Sequence, residues 1–84
     1  MKLYVVHDQI ANENVSCFFM PNEATLRRSF LDCLADVKSG QGRKPGFLRD
    51  GFSLYEYEQD SDLDWKMTKE IEMLDLLPEL RNED

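Results

Sequence analysis

Leu26, Phe30, Cys33, Leu34 and Val37 recur at i, i+4, i+7, i+8 and i+11, which is one apolar stripe down one helix. Pro21-Asn22 precedes the stripe, with Asn22 as N-cap and Glu23 complementing the positive end of the helix dipole. Glycines at 40, 42 and 46 and Pro45 break the chain direction after it. The pattern predicts a helix over 22–38. Such a helix is stable only when its stripe lies on another apolar surface.

The rest of the chain supplies that surface as strands. KLYVVHD, residues 2–8, is apolar on both faces near its middle, Leu3 and Val5 on one and Tyr4 and Val6 on the other, as a central strand requires. QIANEN, residues 9–14, holds two asparagines that tolerate left-handed backbone, so it reads as a hairpin loop into VSCFFM at 15–20, with Val15, Cys17 and Phe19 on one face. In DGFSLYEYEQDSDLDW, residues 50–65, Phe52 and Leu54 share one face while Tyr55 and Tyr57 point to the other. Beyond it two periods compete: Trp65 and Met67 alternate, whereas Met67, Ile71, Leu74 and Leu77 repeat at helical spacing until Pro78. A short strand at about 65–68, a helical turn or two and a frayed acidic tail, RNED at 81–84, are expected. The expected class is α+β: one compact domain over 1–80, a small, mostly antiparallel sheet with one face covered by the helix, and a short C-terminal helix.

Eighty-four residues bury only about 60–65% of the surface of the unfolded chain, so the core is small and a second surface to pack against is valuable. Apolar content of 42% against 32% charged is enough for a globular fold. Met1-Lys2 leads directly into LYVV and no apolar run approaches the ~20 residues that span a bilayer, so a soluble intracellular protein with no secretion leader and no membrane contact is expected. Cys17 and Cys33, in apolar contexts, read as reduced core residues.

Charge is divided along the chain. Residues 27–49 hold Arg27, Arg28, Lys38, Arg43, Lys44 and Arg49 against Asp32 and Asp36, whereas residues 50–84 hold twelve acids against Lys66, Lys69 and Arg81, within a net charge of −7. Only the basic segment suits phosphate. Arg27, Arg28, Arg43, Lys44 and Arg49 are the candidate nucleic-acid contacts, with Tyr55 or Phe47 as stacking partners. Tyr55, Tyr57 and Trp65 are the candidate partner or dimer surface, because a sheet with a single helix leaves one face bare.

No catalytic or metal constellation emerges. Asp60, Asp62 and Asp64 match the first three acidic positions of a calcium loop, but Trp65 stands where that loop needs glycine and Ile71 where it needs a bidentate glutamate. They read as a solvated turn. His7 has no zinc-ligand companions, and Ser16, Cys17, Ser29 and Cys33 sit in no motif that activates a nucleophile. Glu56 and Glu58 share a strand face, a pairing that seventeen acids in 84 residues produce easily by chance. No enzymatic activity, no cofactor and no bound metal are expected.

The order MKLYVVHDQIA, FFMPNEATLRRSFLDCL and P-x-x-x-x-D-GFSLYEYEQD resembles the small non-structural protein of gokushoviruses, the Chlamydia-phage-like Microviridae. The resemblance covers residues 1 to about 65 and includes Tyr4, Val6, Asp8, Phe19, Asn22, Ala24, Arg28, Phe30, Val37, Pro45, Phe52, Leu54, Tyr55, Glu56, Asp60 and Asp62. It departs where the family usually has glycine after the Leu-Tyr-Glu strand and asparagines in the middle loop; Tyr57 and GQGRKPG stand there. The resemblance implies an accessory of phage DNA replication, in single-stranded DNA synthesis or its switch to packaging, located in the host cytoplasm and outside the virion. It would bind single-stranded DNA or phage and host replication proteins, as a homodimer. The other reading of the residues is an adaptor that docks on a replication protein through the acidic 50–84 surface without binding DNA. A metal-dependent nuclease built on Asp60, Asp62 and Asp64 ranks last.

Overall fold

Alternation of side chains across a pleated backbone decides which residues of each strand meet the helix. The computed structural model describes residues 1–82. It contains β1 (Lys2–Asp8), β2 (Glu13–Met20), α1 (Glu23–Lys38), β3 (Phe52–Gln59), β4 (Trp65–Glu72), α2 (Met73–Leu76) and a 3-10 turn (Pro78–Asn82). The strands form one antiparallel sheet in the order β2-β1-β3-β4. This is the α+β architecture expected, with β1 central. The β1–β2 loop turns through Asn12, whose positive φ of 55 is the left-handed backbone that asparagine tolerates, and Asp8 holds the turn by accepting from the amides of Ile10 and Ala11.

Helix α1 crosses from β2 to β3 and lays its stripe on the inner face. Asn22 caps it, accepting from the Thr25 amide at 2.8 Å. At the far end Gly40, with φ of 82, lets the Gly40 and Gln41 amides bond back to Val37 and Asp36. Leu26, Phe30 and Leu34 are buried against Tyr4, Val6 and Leu54, and Leu48, Met73, Leu76, Leu77 and Leu80 complete the core. Phe18, Phe30 and Phe47 form a ring cluster at its edge, with centroids 5.5 to 5.9 Å apart.

Several expectations need correction. Strand β4 does not stop near 68: it pairs with β3 as far as Ser53↔Glu72, because the extended ladder satisfies more backbone than an early helical turn. The C-terminal helical segment therefore begins at Met73 and buries Met73, Leu76, Leu77 and Leu80; of the expected stripe Met67, Ile71, Leu74 and Leu77, only Leu77 is fully buried. Arg81 is not frayed; it lies in the 3-10 turn and pairs with Asp75 at 3.0 Å, while residues 83 and 84 of the expected tail lie outside the described residues. Val15 does not share a face with Cys17 and Phe19, since the register shifts opposite Val6 and His7 and leaves Val15 outside the ladder. Cys17 is exposed rather than in the core, because its face of the sheet carries no helix. After the glycine-rich stretch 39–46, the chain is anchored by buried Leu48 and by Phe47 in the ring cluster.

Candidate functional site

The outer sheet face is the surface that the single helix leaves bare. Alternation places Leu3, Val5 and His7 of β1, Cys17 and Phe19 of β2, Tyr55 and Tyr57 of β3, and Trp65 and Met67 of β4 there. Phe19, Met67 and Trp65 remain 59%, 56% and 40% exposed. Phe19 and Trp65 come from the two edge strands, yet their rings approach to 6.0 Å across the sheet over Leu3 and Tyr57. Tyr55 lies under His7, centroids 5.1 Å apart, and His7 Nδ1 is 2.8 Å from Asn14 Oδ1. At one end the Gln9 amide donates to both oxygens of Glu72, and Ser53, which pairs with His7 and Glu72, is fully buried. Among the described residues, the formal charges that alternation puts on this face are Glu70 and Glu72, both negative. The predicted surface residues Tyr55, Tyr57 and Trp65 are thus brought together.

The inner face carries a polar network at its rim. Glu56 is buried and accepts from Tyr4 Oη at 3.0 Å, Thr68 Oγ1 at 2.9 Å and Lys2 Nζ at 3.3 Å. Burial pushes its carboxyl up, but the bonds from Thr68, Tyr4 and Lys2 outweigh that and hold it below the ordinary glutamate value. Burial first, and donation to Glu56 second, push the Tyr4 phenol up. Lys2 is raised by Glu56 and then Glu58, which it bridges at 3.3 Å each. Three strands are joined here: Thr68 reaches in from the register shift in β4, Tyr4 from β1, Glu56 from β3. The Glu56–Glu58 pair is therefore tied to Lys2 and the core, an arrangement suited to fixing register.

Asp60, Asp62 and Asp64 form the β3–β4 turn. Asp60 Oδ1 accepts from the amides of Asp62 and Asp64, its own amide donates to the Asp64 carbonyl, and its other carboxylate oxygen meets Lys66 at 3.1 Å. The backbone bond from Asp64 and the contact with Lys66 hold its carboxyl below the usual value. Leu63, at φ 65, closes the turn in left-handed backbone. Among the described residues, no group of three or more His, Cys, Asp or Glu is placed to hold a metal ion.

The candidate nucleic-acid residues are not gathered on the aromatic face. Arg27 is committed to the C-terminal segment, its Nε donating to the Leu76 carbonyl at 3.1 Å and its guanidinium pairing with Glu79 at 2.6 Å. Arg28 lies exposed on α1 and Arg43 exposed on the loop. Lys44 and Arg49 border a groove of about 740 Å3 with Lys38 and Arg81, over Leu34, Val37, Leu74 and Leu80, with Asp50 as its one acid among the described residues. Arg49 also reaches a cleft of about 360 Å3 with Phe47, Phe52, Val15 and Asp8. Sequence reasoning missed the parts of the groove supplied by Lys38, Leu74 and Arg81. No spacing links α1 to residues 74–81, so only the packing reveals the set.

Among the described residues no helix is long and apolar enough to cross a membrane. Comparison of the chain with protein-family models, with curated proteins and with solved structures found no match.

Proposed function

We propose that this chain is a non-enzymatic accessory of single-stranded DNA phage replication that acts by docking a protein of the replication complex on its open sheet face. The phage context rests on the resemblance carried by the first 65 residues. The docking mode rests on one observation: Phe19, Met67 and Trp65 stand exposed around Tyr55 and Tyr57 on a face whose charges are Glu70 and Glu72. An exposed apolar patch of this kind marks a protein contact. The complementary surface is apolar and edged by lysine or arginine. A second copy stacked through the same face brings no cation to meet Glu70 and Glu72, so a heterologous partner fits better than the homodimer.

Single-strand binding needs cations and stacking rings on one surface. Here Tyr55, Tyr57 and Trp65 lie on the outer face, whereas Arg28, Arg43, Lys44 and Arg49 belong to α1 and the loop that follows it. Arg49 beside Phe47 and Phe52 in the smaller cleft is the observation that favours DNA as the second reading.

Trp65 is the only tryptophan, so its emission reports the open face directly. Titration with purified phage and host replication proteins should shift that emission for one of them. Phe19→Ser/Met67→Ser should abolish the shift and Arg43→Ala/Lys44→Ala should preserve it. Light scattering of the free chain distinguishes self-association. Anisotropy of a labelled single-stranded oligonucleotide at low and moderate salt tests the second reading; binding lost in Arg43→Ala/Lys44→Ala, with no protein response at Trp65, would replace docking by DNA contact.

A further inference from the structure

The groove between the C-terminal half of α1 and residues 74–81 gathers charge that the open sheet face does not explain. Among the described residues, its rim holds four cations, Lys38, Lys44, Arg49 and Arg81, against one carboxylate, Asp50, in a chain whose net charge is −7. Its floor is aliphatic: Leu34 and Val37 from α1, Leu74 and Leu80 from the C-terminal segment. Asp50 is turned partly to its own backbone, accepting from the Gly51 amide at 2.9 Å, and Arg81 has Asp75 as a neighbour. The cations come from three parts of the chain, α1, the loop 39–51 and the 3-10 turn, so their convergence is a product of the tertiary fold.

Three chemistries meet the sign of this rim, and the floor and the number of cations separate them. A single-stranded nucleic acid supplies many phosphates, but it gains its contact energy by stacking bases on rings, and among the described residues no aromatic side chain lines the groove. An anionic amphiphile suits the aliphatic floor, but one head group engages one or two cations of the four. An acidic peptide with leucine-like anchors satisfies both halves: its carboxylates spread over the rim and its aliphatic side chains enter the floor, the helix-in-groove mode of recognition.

We propose that this groove is a docking site for a short acidic amphipathic segment of a partner protein, read through Lys38, Lys44, Arg49 and Arg81 over the Leu34–Val37–Leu74–Leu80 floor. The site is independent of the open sheet face and stands whether or not that face docks a replication protein. It makes the small domain a two-sided connector: one side takes an apolar surface with basic edges, the other an acidic helix.

The probe is a fluorescein-labelled peptide of about 12 residues with leucine at i, i+3, i+4 and i+7 and glutamate elsewhere, titrated by anisotropy into the full chain. Two altered peptides, glutamine for glutamate and serine for leucine, should each bind at least about tenfold more weakly, as should a thymidine oligonucleotide of similar length. Lys38→Glu/Arg49→Glu should weaken the parent peptide by about tenfold or more, with Arg28→Glu, outside the groove, as the charge control. Amide shifts on binding should map to Leu34, Val37, Leu74 and Leu80. The inference fails if the parent peptide does not bind at millimolar concentration or if leucine-to-serine leaves affinity unchanged. It fails equally if the oligonucleotide binds as tightly, or if the shifts fall on Tyr55, Tyr57 and Trp65.

Discussion

The two faces of the sheet are built from the same strands and differ by one residue of register, yet they are different materials. The inner face presents Tyr4, Val6, Leu54 and Glu56 to α1 and the C-terminal segment, and all four are buried. The outer face presents Val5, Phe19, Tyr55, Tyr57 and Met67, and none of these is fully buried. A chain of 84 residues has helix enough to cover one side. The difference shows where apolar residues serve folding and where they are left for something else, and it can be attacked experimentally from each side.

The largest expected effect is on the covered face. Leu54→Ala empties a fully buried position under α1 and should cost about 2–5 kcal/mol, a large share of the ~4–13 kcal/mol that a domain of this size possesses. Urea denaturation followed at Trp65 and by circular dichroism measures it. A loss below about 1 kcal/mol would mean that the inner face is not a packed core.

Glu56 comes next. Glu56→Ala strands the Tyr4 hydroxyl and should cost about 3 kcal/mol. Its pH signature has a definite sign. The folded carboxyl is held below its ordinary value of 4.5, so its contribution is fully present above that value and is lost as pH falls through the lower folded value. Wild type should therefore lose stability on acidification below about pH 4.5 more steeply than Glu56→Gln, in which the titrating group is gone. Parallel slopes in urea titrations at several acidic pH values would sink the account of the network.

Smaller effects belong to the N-terminal turns of the helix. Arg27→Ala removes the bond to the Leu76 carbonyl and the exposed pair with Glu79, which together are worth about 1 kcal/mol. Its signature is local: amide exchange at Leu77 and Leu80 should accelerate more than exchange in β1. Asn22→Ala should cost about 1 kcal/mol through the lost cap, without that local pattern.

Legibility from the sequence follows the range of the forces involved. Helix α1, its Asn22 cap, the Asn12 turn and the central place of β1 were readable because periodicity and capping act over a few residues. The placement of Tyr55, Tyr57 and Trp65 on the face that the helix does not cover followed from alternation plus the presence of one main helix. The length of β4 was not readable, since its helical and extended periods were nearly equal and only pairing with β3 chose between them. Nor was the inward turn of Thr68 or the loss of Val15 from its face, because each depends on a register shift set by the neighbouring strand. Arg27 offered the same limit: a free surface arginine and a clamp on residues 76–79 look identical until the chain folds back.

The smallest effect on stability should come from the open face, and it sharpens the comparison most. Phe19→Ser/Met67→Ser removes two side chains that are more than half exposed, so stability should change by no more than about 0.5 kcal/mol per site. Losing the 6.0 Å contact between Phe19 and Trp65 should instead alter the emission of Trp65 in the free chain. If stability fell as far as in Leu54→Ala, the outer face would be part of the core and its apolar residues would need no partner. If stability holds while the Trp65 response to a replication protein disappears, the same strands serve two ends: residues turned inward hold the domain together, and residues turned outward hold something else to it.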